Sequence, residues 1–440
     1  MQTFFIWKSY DHLLVDERIG EIPDKRNRLG PVTLLNRINL TLLDTGTSAQ
    51  QYLKQKISNN IAQGNHDAFY VADLGDIIEK HWRFLKELPQ VKPFYAVKCN
   101  GIREVVQTLA ALGTGFDCAS MGEIDMVLKM GIPAADIIYA NPCRQVSHIK
   151  YAAEHGVCRM TFDCEAELFK IAASHPKAEM ILRIATDDKD SWCALSSKYG
   201  AHLEECEDLL KKAKNLNIQV IGVSFHTGSG CTNTHPFCKA IEDARKVFDI
   251  GQKLGYQMRL LDIGGGFPGE SEFQPTFEEF AAVIRQSLNQ YFPNDQDVEI
   301  ISEPGRYYVE SAFTVALNII TKKEMYDKGA EGERRRKFSY ILNDGIYGTF
   351  LEFCLLKEKR KLKPILYKEF ATEQKLFPSI LWGPTCSNLD EIVNEVYLPE
   401  LETADWIIFQ NMGAYSLCMS TSFNQFPQPT VYFVLSKGHV

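Results

Sequence analysis

Between residues 93 and 305, short apolar or β-branched runs alternate with segments whose apolar positions recur every three or four residues. The runs are 93–98 (PFYAVK), 115–120 (GFDCAS), 137–141 (IIYAN), 160–164 (MTFDC), 180–186 (MILRIAT), 220–226 (VIGVSFH), 260–266 (LLDIGGG) and 299–305 (EIISEPG). Helix-period segments lie between them at 101–112, 121–131, 165–174, 204–215, 236–254 and 276–291. Strands and helices alternating in this way over about 230 residues predict an α/β fold, a (β/α)8 TIM barrel, with a doubly wound open sheet as the competing topology. A barrel places its chemistry at the C-terminal ends of its strands. Lys98, Asp117, Asn141, Asp163, Arg183, His226, the Gly264–Gly266 run and Glu303 occupy those ends.

After residue 310 the pattern changes to strands without regular helices, at 311–321, 338–343, 379–386, 404–411 and 430–436. This predicts a C-terminal all-β domain, which the early run 68–72 (AFYVA) joins as a strand. The charged stretches 327–337 and 357–375 read as exposed loops. The expected organisation is a weakly ordered extension (1–35), a segment contributing to the β-domain (36–73), the barrel (74–312) and the β-domain (313–440).

A chain of 440 residues exceeds one small core and agrees with two domains. Apolar content of 45% and charged content of 24% are ordinary for a globular protein. The net charge of −8 argues against nucleic acid or an anionic membrane as a partner. No apolar stretch is long enough to span a bilayer, and Phe4-Phe5-Ile6-Trp7 is too short for a signal-peptide core. Twelve cysteines without a C-x-x-C pair or zinc-like spacing predict reduced thiols, a cytoplasmic location and no metal site.

Lys98 ends an apolar, aromatic run, so its amine is expected to enter the cavity above the strand. Burial of an amine favours its neutral, nucleophilic form, which suits a Schiff-base lysine; a lysine that simply snorkels is the alternative. Three glycine-containing loops follow late strands: 226–230 (HTGSG), 264–269 (GGGFPG) and 303–307 (EPGRY). Backbone N–H groups, a hydroxyl and a guanidinium brought together there would cradle a phosphate. The G-x-G-x-x-G match at 264–269 is no Rossmann site, because Pro268 interrupts it and no helix is expected before Thr276. A lysine facing a phosphate cradle implies pyridoxal 5'-phosphate. Glu303 is the candidate partner for its ring nitrogen, and His226 for stacking on its ring.

PFYAVKCN, GTGFDCAS, ANPC, SFHTGSG, LDIGGGFPG, EPGRYY, NDGIYG, WGPTC and NMGAY together resemble the eukaryotic ornithine decarboxylase family, from about Ala68 to about Phe433. The resemblance implies an alanine-racemase-type barrel, a C-terminal β-domain and a homodimer with shared active sites. It makes Lys98 the Schiff-base lysine, His226 the stacking group and Glu303 the ring-nitrogen partner. Ser229, Gly266, Gly305, Arg306 and Tyr415 would hold the phosphate, with Asp117 and Arg183 around the cofactor. Cys386 would be supplied by the partner subunit to protonate the α-carbon. Lys198 with Asp390, and Asp163 with Lys323, would form salt bridges between subunits.

The pattern departs from the family in the substrate pocket, to which Tyr347, Leu356, Ser387 and Phe423 are assigned. Family members hold the substrate's distal ammonium with two aspartates, and the matching positions here are Ser387 and Leu356. The expectation is therefore a decarboxylase of an aliphatic amino acid, leucine being the best match in length and shape. A different register over 351–377 would bring Glu352 or Glu358 into the pocket instead. Two alternatives remain: a true ornithine decarboxylase of polyamine metabolism, and a regulator like the antizyme inhibitors. The segment 146–170, with Lys150 and Lys170, resembles the family's antizyme-binding stretch.

Overall fold

The computed structural model describes residues 40–293, 297–328, 334–356, 359–371 and 373–436. The extension 1–35 and Glu358 lie outside the described residues. Among the described residues, those up to Asp76 and from Val309 onward form one compact unit, and Ile77–Tyr308 form the other.

The chain opens with β1 (Leu40–Leu43), α1 (Ala49–Gln63), β2 (Phe69–Asp73) and α2 (Leu74–Glu87). Neither β1 nor α1 was expected, although α1 begins on a capping box: the Ser48 hydroxyl accepts from the Gln51 N–H, and the Gln51 side chain accepts from the Ser48 N–H. The barrel unit then alternates β3 (Val91–Ala96), α3 (Arg103–Ala111), β4 (Gly115–Cys118), α4 (Met121–Lys129), β5 (Ile137–Tyr139), α5 (Val146–Glu154), β6 (Arg159–Phe162), α6 (Glu165–Ser174) and β7 (Glu179–Arg183). It continues through β8 (Ser191–Cys193), α7 (Leu203–Asn215), β9 (Gln219–Ser224), β10 (Ser229–Cys231), α8 (His235–Lys253), β11 (Leu260–Asp262), α9 (Phe277–Tyr291), β12 (Glu299–Ser302) and α10 (Arg306–Val309).

Strands β3, β4, β5, β6, β7, β9, β11 and β12 close into a parallel barrel in that order. Phe94, Ile138, Ile181, Ile221, Leu260 and Ile301 fill its interior, so it is a packed core rather than a pore. Room for Phe94 comes from Gly115, where a Cβ would stand 2.5 Å from the Phe94 ring. The barrel strands stop earlier than the apolar runs that predict them. Lys98 is not on β3 but in a single 3-10 turn, Val97–Cys99, beyond it. His226, the 264–266 run and Glu303 likewise lie past β9, β11 and β12. The runs extend further because the loops above the strands are themselves enclosed and apolar. β8 and β10 pair with each other as a small antiparallel ribbon.

The other unit is a mixed sheet completed by β13 (Phe313–Lys328), β14 (Arg334–Leu342), a short helix α11 (Leu351–Leu355), β15 (Ile365–Leu366), β16 (Phe377–Trp382), β17 (Glu391–Leu398), β18 (Trp406–Phe409) and β19 (Thr430–Ser436). The early strand β2 runs between β13 and β19, and Leu53, Ile57, Phe69, Ala316, Trp406 and Val434 pack its core. The stretch 327–337, expected as an exposed loop, in part continues the sheet: Asp327 pairs with Arg335 and Lys328 with Arg334. Charge does not prevent pairing there, since Glu324 on β13 accepts from Arg336 on β14 at 2.7 Å.

Candidate active site

Lys98 stands on its turn because the loop after β12 folds against it: the Ala96 N–H donates to the Pro304 carbonyl at 3.2 Å. A Cβ on Gly305 would lie 2.9 Å from the Cys99 Cβ, so only glycine lets this loop approach. The Lys98 ammonium is half exposed and ion-paired to Asp117 on β4, whose side chain is fully buried. Asp117 Oδ1 has no hydrogen-bond partner among the described residues.

Two more acids crowd the same barrel mouth. Glu303 is buried; burial, then Asp117 and Asp262, raise its carboxyl well above the usual range, with Lys98 opposing. Its Oε1 also has no hydrogen-bond partner among the described residues. Asp262, the last residue of β11, accepts the Gly264 N–H at 2.9 Å, and burial pushes its carboxyl up to about 7. Sequence reading did not single out Asp262. Its signal is an acid inside the run LLDIGGG, two residues before the glycine loop.

His226 Nδ1 accepts the Gly228 N–H at 2.9 Å, which fixes the tautomer with the proton on Nε2. Enclosure, then Arg183 and Lys98, lower its pKa well below the usual value, so a neutral ring faces Gly265. Arg183 ends β7 with its guanidinium 5.1 Å from the Tyr199 ring.

The glycine loops after β9, β11 and β12 approach one another. Arg306 Nε donates to Ser229 Oγ at 3.0 Å, and its guanidinium lies 5.4 Å from the Trp192 ring. Gly266 has φ +102°, and a Cβ there would stand 2.2 Å from the Gly228 carbonyl oxygen. A guanidinium, a hydroxyl and glycine backbone are thus brought together, the donor set that suits an anion such as phosphate.

The β unit holds the remaining candidates. Tyr415 adopts a left-handed backbone (φ 50°), as does Asn411 (φ 58°) in the same turn. Cys386 is exposed, and its N–H donates to Asn424 Oδ1 at 3.0 Å. Ser387 shares a 2.9 Å hydrogen bond with the Tyr347 hydroxyl, and the Tyr347 ring packs 4.6 Å from that of Phe423. Leu356 caps α11, its N–H donating to the Glu352 carbonyl at 2.9 Å. Glu352, considered above for the pocket, is buried with its carboxylate bonded to Arg360.

Asp390 is 1% exposed, and its carboxylate accepts from the Ile346 N–H (2.7 Å), the Thr385 N–H (3.0 Å) and the Thr385 hydroxyl (2.7 Å). Lys198, expected to pair with Asp390 across subunits, has its ammonium 4.9 Å from the Tyr199 ring. Asp163 accepts the Gly200 N–H at 2.9 Å, and Lys323 is exposed on β13. Each of the twelve cysteines is a free thiol. Among the described residues no helix is long and apolar enough to cross a membrane.

Residues 74–310 match the family described as pyridoxal-dependent decarboxylase, pyridoxal binding domain. The chain belongs to this family. Its fold and cofactor class are those of the pyridoxal-phosphate-dependent amino-acid decarboxylases. The ornithine decarboxylase of Mus musculus is 53% identical over 401 residues, 90% of this chain and 87% of that protein. Antizyme inhibitor 2 of Xenopus laevis is 52% identical over 404 residues, 91% of this chain and 88% of that protein. Among solved structures, the Paramecium bursaria Chlorella virus arginine decarboxylase superposes with a TM-score of 0.80 at 33% identity, covering 86% of this chain and 100% of that one.

The barrel mouth fits the decarboxylase family's cofactor on its own terms. The Gly266 approach and the Arg306–Ser229 contact suit the phosphate, and the partnerless Glu303 oxygen suits a protonated ring nitrogen. The crowded acids also set a pH dependence for the cofactor-free protein. Asp262, at about 7 when folded against 3.8 as a free side chain, keeps its proton in the native state while the unfolded chain loses it. The Asp262 contribution to stability should therefore be fully present below about pH 4 and be lost as pH rises toward 7, by up to about 1.4 kcal/mol per pH unit for one proton. Thermal melts of cofactor-free Asp262→Asn should show a shallower fall over that window; an identical slope would contradict the assignment.

Proposed function

We propose that the chain is a pyridoxal-phosphate-dependent α-decarboxylase of an aliphatic amino acid, leucine before ornithine. The observation that carries this is Ser387, in the position after Cys386, with its hydroxyl engaged by Tyr347 beside the Phe423 ring. A substrate ammonium meeting this aromatic wall in place of two carboxylates loses about 3–5 kcal/mol, or roughly two to three powers of ten in binding. An isobutyl side chain gains about 0.8 kcal/mol for each methylene it buries.

Bound pyridoxal phosphate supplies the electron sink for the pair left when the carboxylate departs as CO2. Lys98 would hold the cofactor, Glu303 would accept from its ring nitrogen, and neutral His226 would face its ring. Ser229, Gly266, Gly305, Arg306 and Tyr415 would hold the phosphate, with Asp117 and Arg183 around the cofactor. The thiol of Cys386 from a second subunit of a homodimer returns a proton to the α-carbon, forming C–H where C–C broke.

A second reading, an antizyme-binding regulator, is supported by the Xenopus laevis relative and by the surface of 146–170. Lys150 and Phe169 are exposed there, Phe169 at 49%. Lys170 is less available, because it bonds the Arg144 carbonyl at 2.6 Å and pairs with Glu167. A regulator has no use for Lys98, Arg306 and Cys386, all present here. Release of CO2 across the standard amino acids separates the readings. Leucine should exceed ornithine by at least about tenfold; ornithine in first place would restore the ornithine decarboxylase reading, and no release from any substrate the regulator.

A further inference from the structure

We propose that Arg360 is a specificity-positioning residue, which holds the carboxylate of Glu352 and so withholds it from the distal end of the substrate. This rests on the reading of Leu356 as a pocket residue. The Leu356 N–H donates to the Glu352 carbonyl at 2.9 Å, so Leu356, capping the end of α11, stands one turn from Glu352. A turn that meets the substrate through Leu356 therefore also carries a glutamate, the group that would attract a diamino acid. The Arg360 N–H donates to the Leu356 carbonyl at 2.9 Å, and its guanidinium meets that glutamate.

Arg360 Nη1 bonds Glu352 Oε2, while Nη2 donates to Glu310 Oε1 at 2.6 Å and to the Asn411 carbonyl at 3.0 Å. The guanidinium also lies 4.1 Å from the Phe353 ring. Side-chain exposure is 4% for Arg360, 1% for Glu310 and 8% for Glu352, so these charges are enclosed and their partnership is exclusive of solvent. The planar fork of arginine engages both acids at once, which a lysine ammonium does less well. Through Asn411 the same residue ties α11 to the turn that carries Tyr415. A structural role is thus built in, and the test must separate it from specificity.

The test uses the holoenzyme and reads leucine and ornithine binding from the change in cofactor absorbance on titration, which needs no turnover. The paired variant Glu310→Gln with Arg360→Met removes one charge of each sign and leaves Glu352 without its guanidinium. The ornithine-to-leucine affinity ratio should rise at least about tenfold, and adding Glu352→Gln should return it to the wild-type value. Equal ratios in the paired and triple variants would overturn the proposal, because a purely structural effect does not depend on the charge of residue 352. Should the paired variant fail to melt cooperatively, Glu352→Asp draws the carboxylate away from Arg360 while Glu310 and Asn411 still hold the arginine. Its ratio should rise at least about threefold, and no rise overturns the proposal. Leu356→Asp separates the two possible failures. A ratio unmoved by Leu356→Asp overturns the pocket reading and the proposal with it; a ratio moved there but not in the Arg360 variants overturns the proposal alone.

Discussion

Lys98→Ala should lose the visible absorbance of the lysine-bound cofactor, and its CO2 release should fall by at least about a thousandfold, in the range expected when a covalent catalytic group is removed. The structure adds a consequence that the sequence did not. Lys98 is the ion-pair partner of Asp117, so truncation also leaves a fully buried carboxylate without its counter-charge. Losing a hydrogen bond to a charged group costs about 1.5–3 kcal/mol, and part of that cost should appear as a lower Tm. Lys98→Arg divides the two effects: the guanidinium keeps a positive charge near Asp117 but does not deprotonate to form the covalent link. Melting should recover in Lys98→Arg while absorbance and CO2 release stay lost. An arginine variant that keeps the absorbance would remove Lys98 from the covalent role and leave it as a charge partner.

The barrel was legible because its strands carry a double signal, an apolar run and a polar or glycine residue just after it. Lys98, Asp117, Arg183, His226 and Glu303 all come from the ends of such runs, and the structure gathers their charges at one mouth. Strand limits were less legible, since apolar loops above a barrel look like strand in sequence. The β unit was harder still. β17 is EIVNEVYL, with exposed and half-buried positions along most of its length, and it offers no clean alternation to read. α1 was hidden by its glutamines and lysines, because Leu53 and Ile57 are its only fully buried apolar side chains. Buried charge pairs are the least legible class. Nothing in the sequence shows that the Asp390 carboxylate accepts from the Thr385 hydroxyl, or that Glu352 meets Arg360 eight residues on.

Placing aspartates at both divergent positions, Ser387→Asp with Leu356→Asp, should move substrate preference from leucine toward ornithine by about two to three powers of ten, the equivalent of about 3–5 kcal/mol for a buried ammonium that regains its partners. The two substitutions should not act equally. Asp at 387 enters beside the Tyr347 hydroxyl, which now bonds Ser387 at 2.9 Å and would donate to the new carboxylate, so that charge arrives with a hydrogen bond in place. Asp at 356 joins a helix end whose other acid is already held by Arg360, and it meets like charge one turn away at Glu352. Ser387→Asp alone should therefore give the larger single shift, and the pair should exceed the sum of the two on a logarithmic scale if one ammonium bridges both carboxylates. The kcat/KM ratio for ornithine over leucine in all four forms is the measurement. A strictly additive cycle would mean that the two positions do not meet one substrate group, and no shift in any form would place the specificity of this decarboxylase outside the Ser387–Leu356 pair.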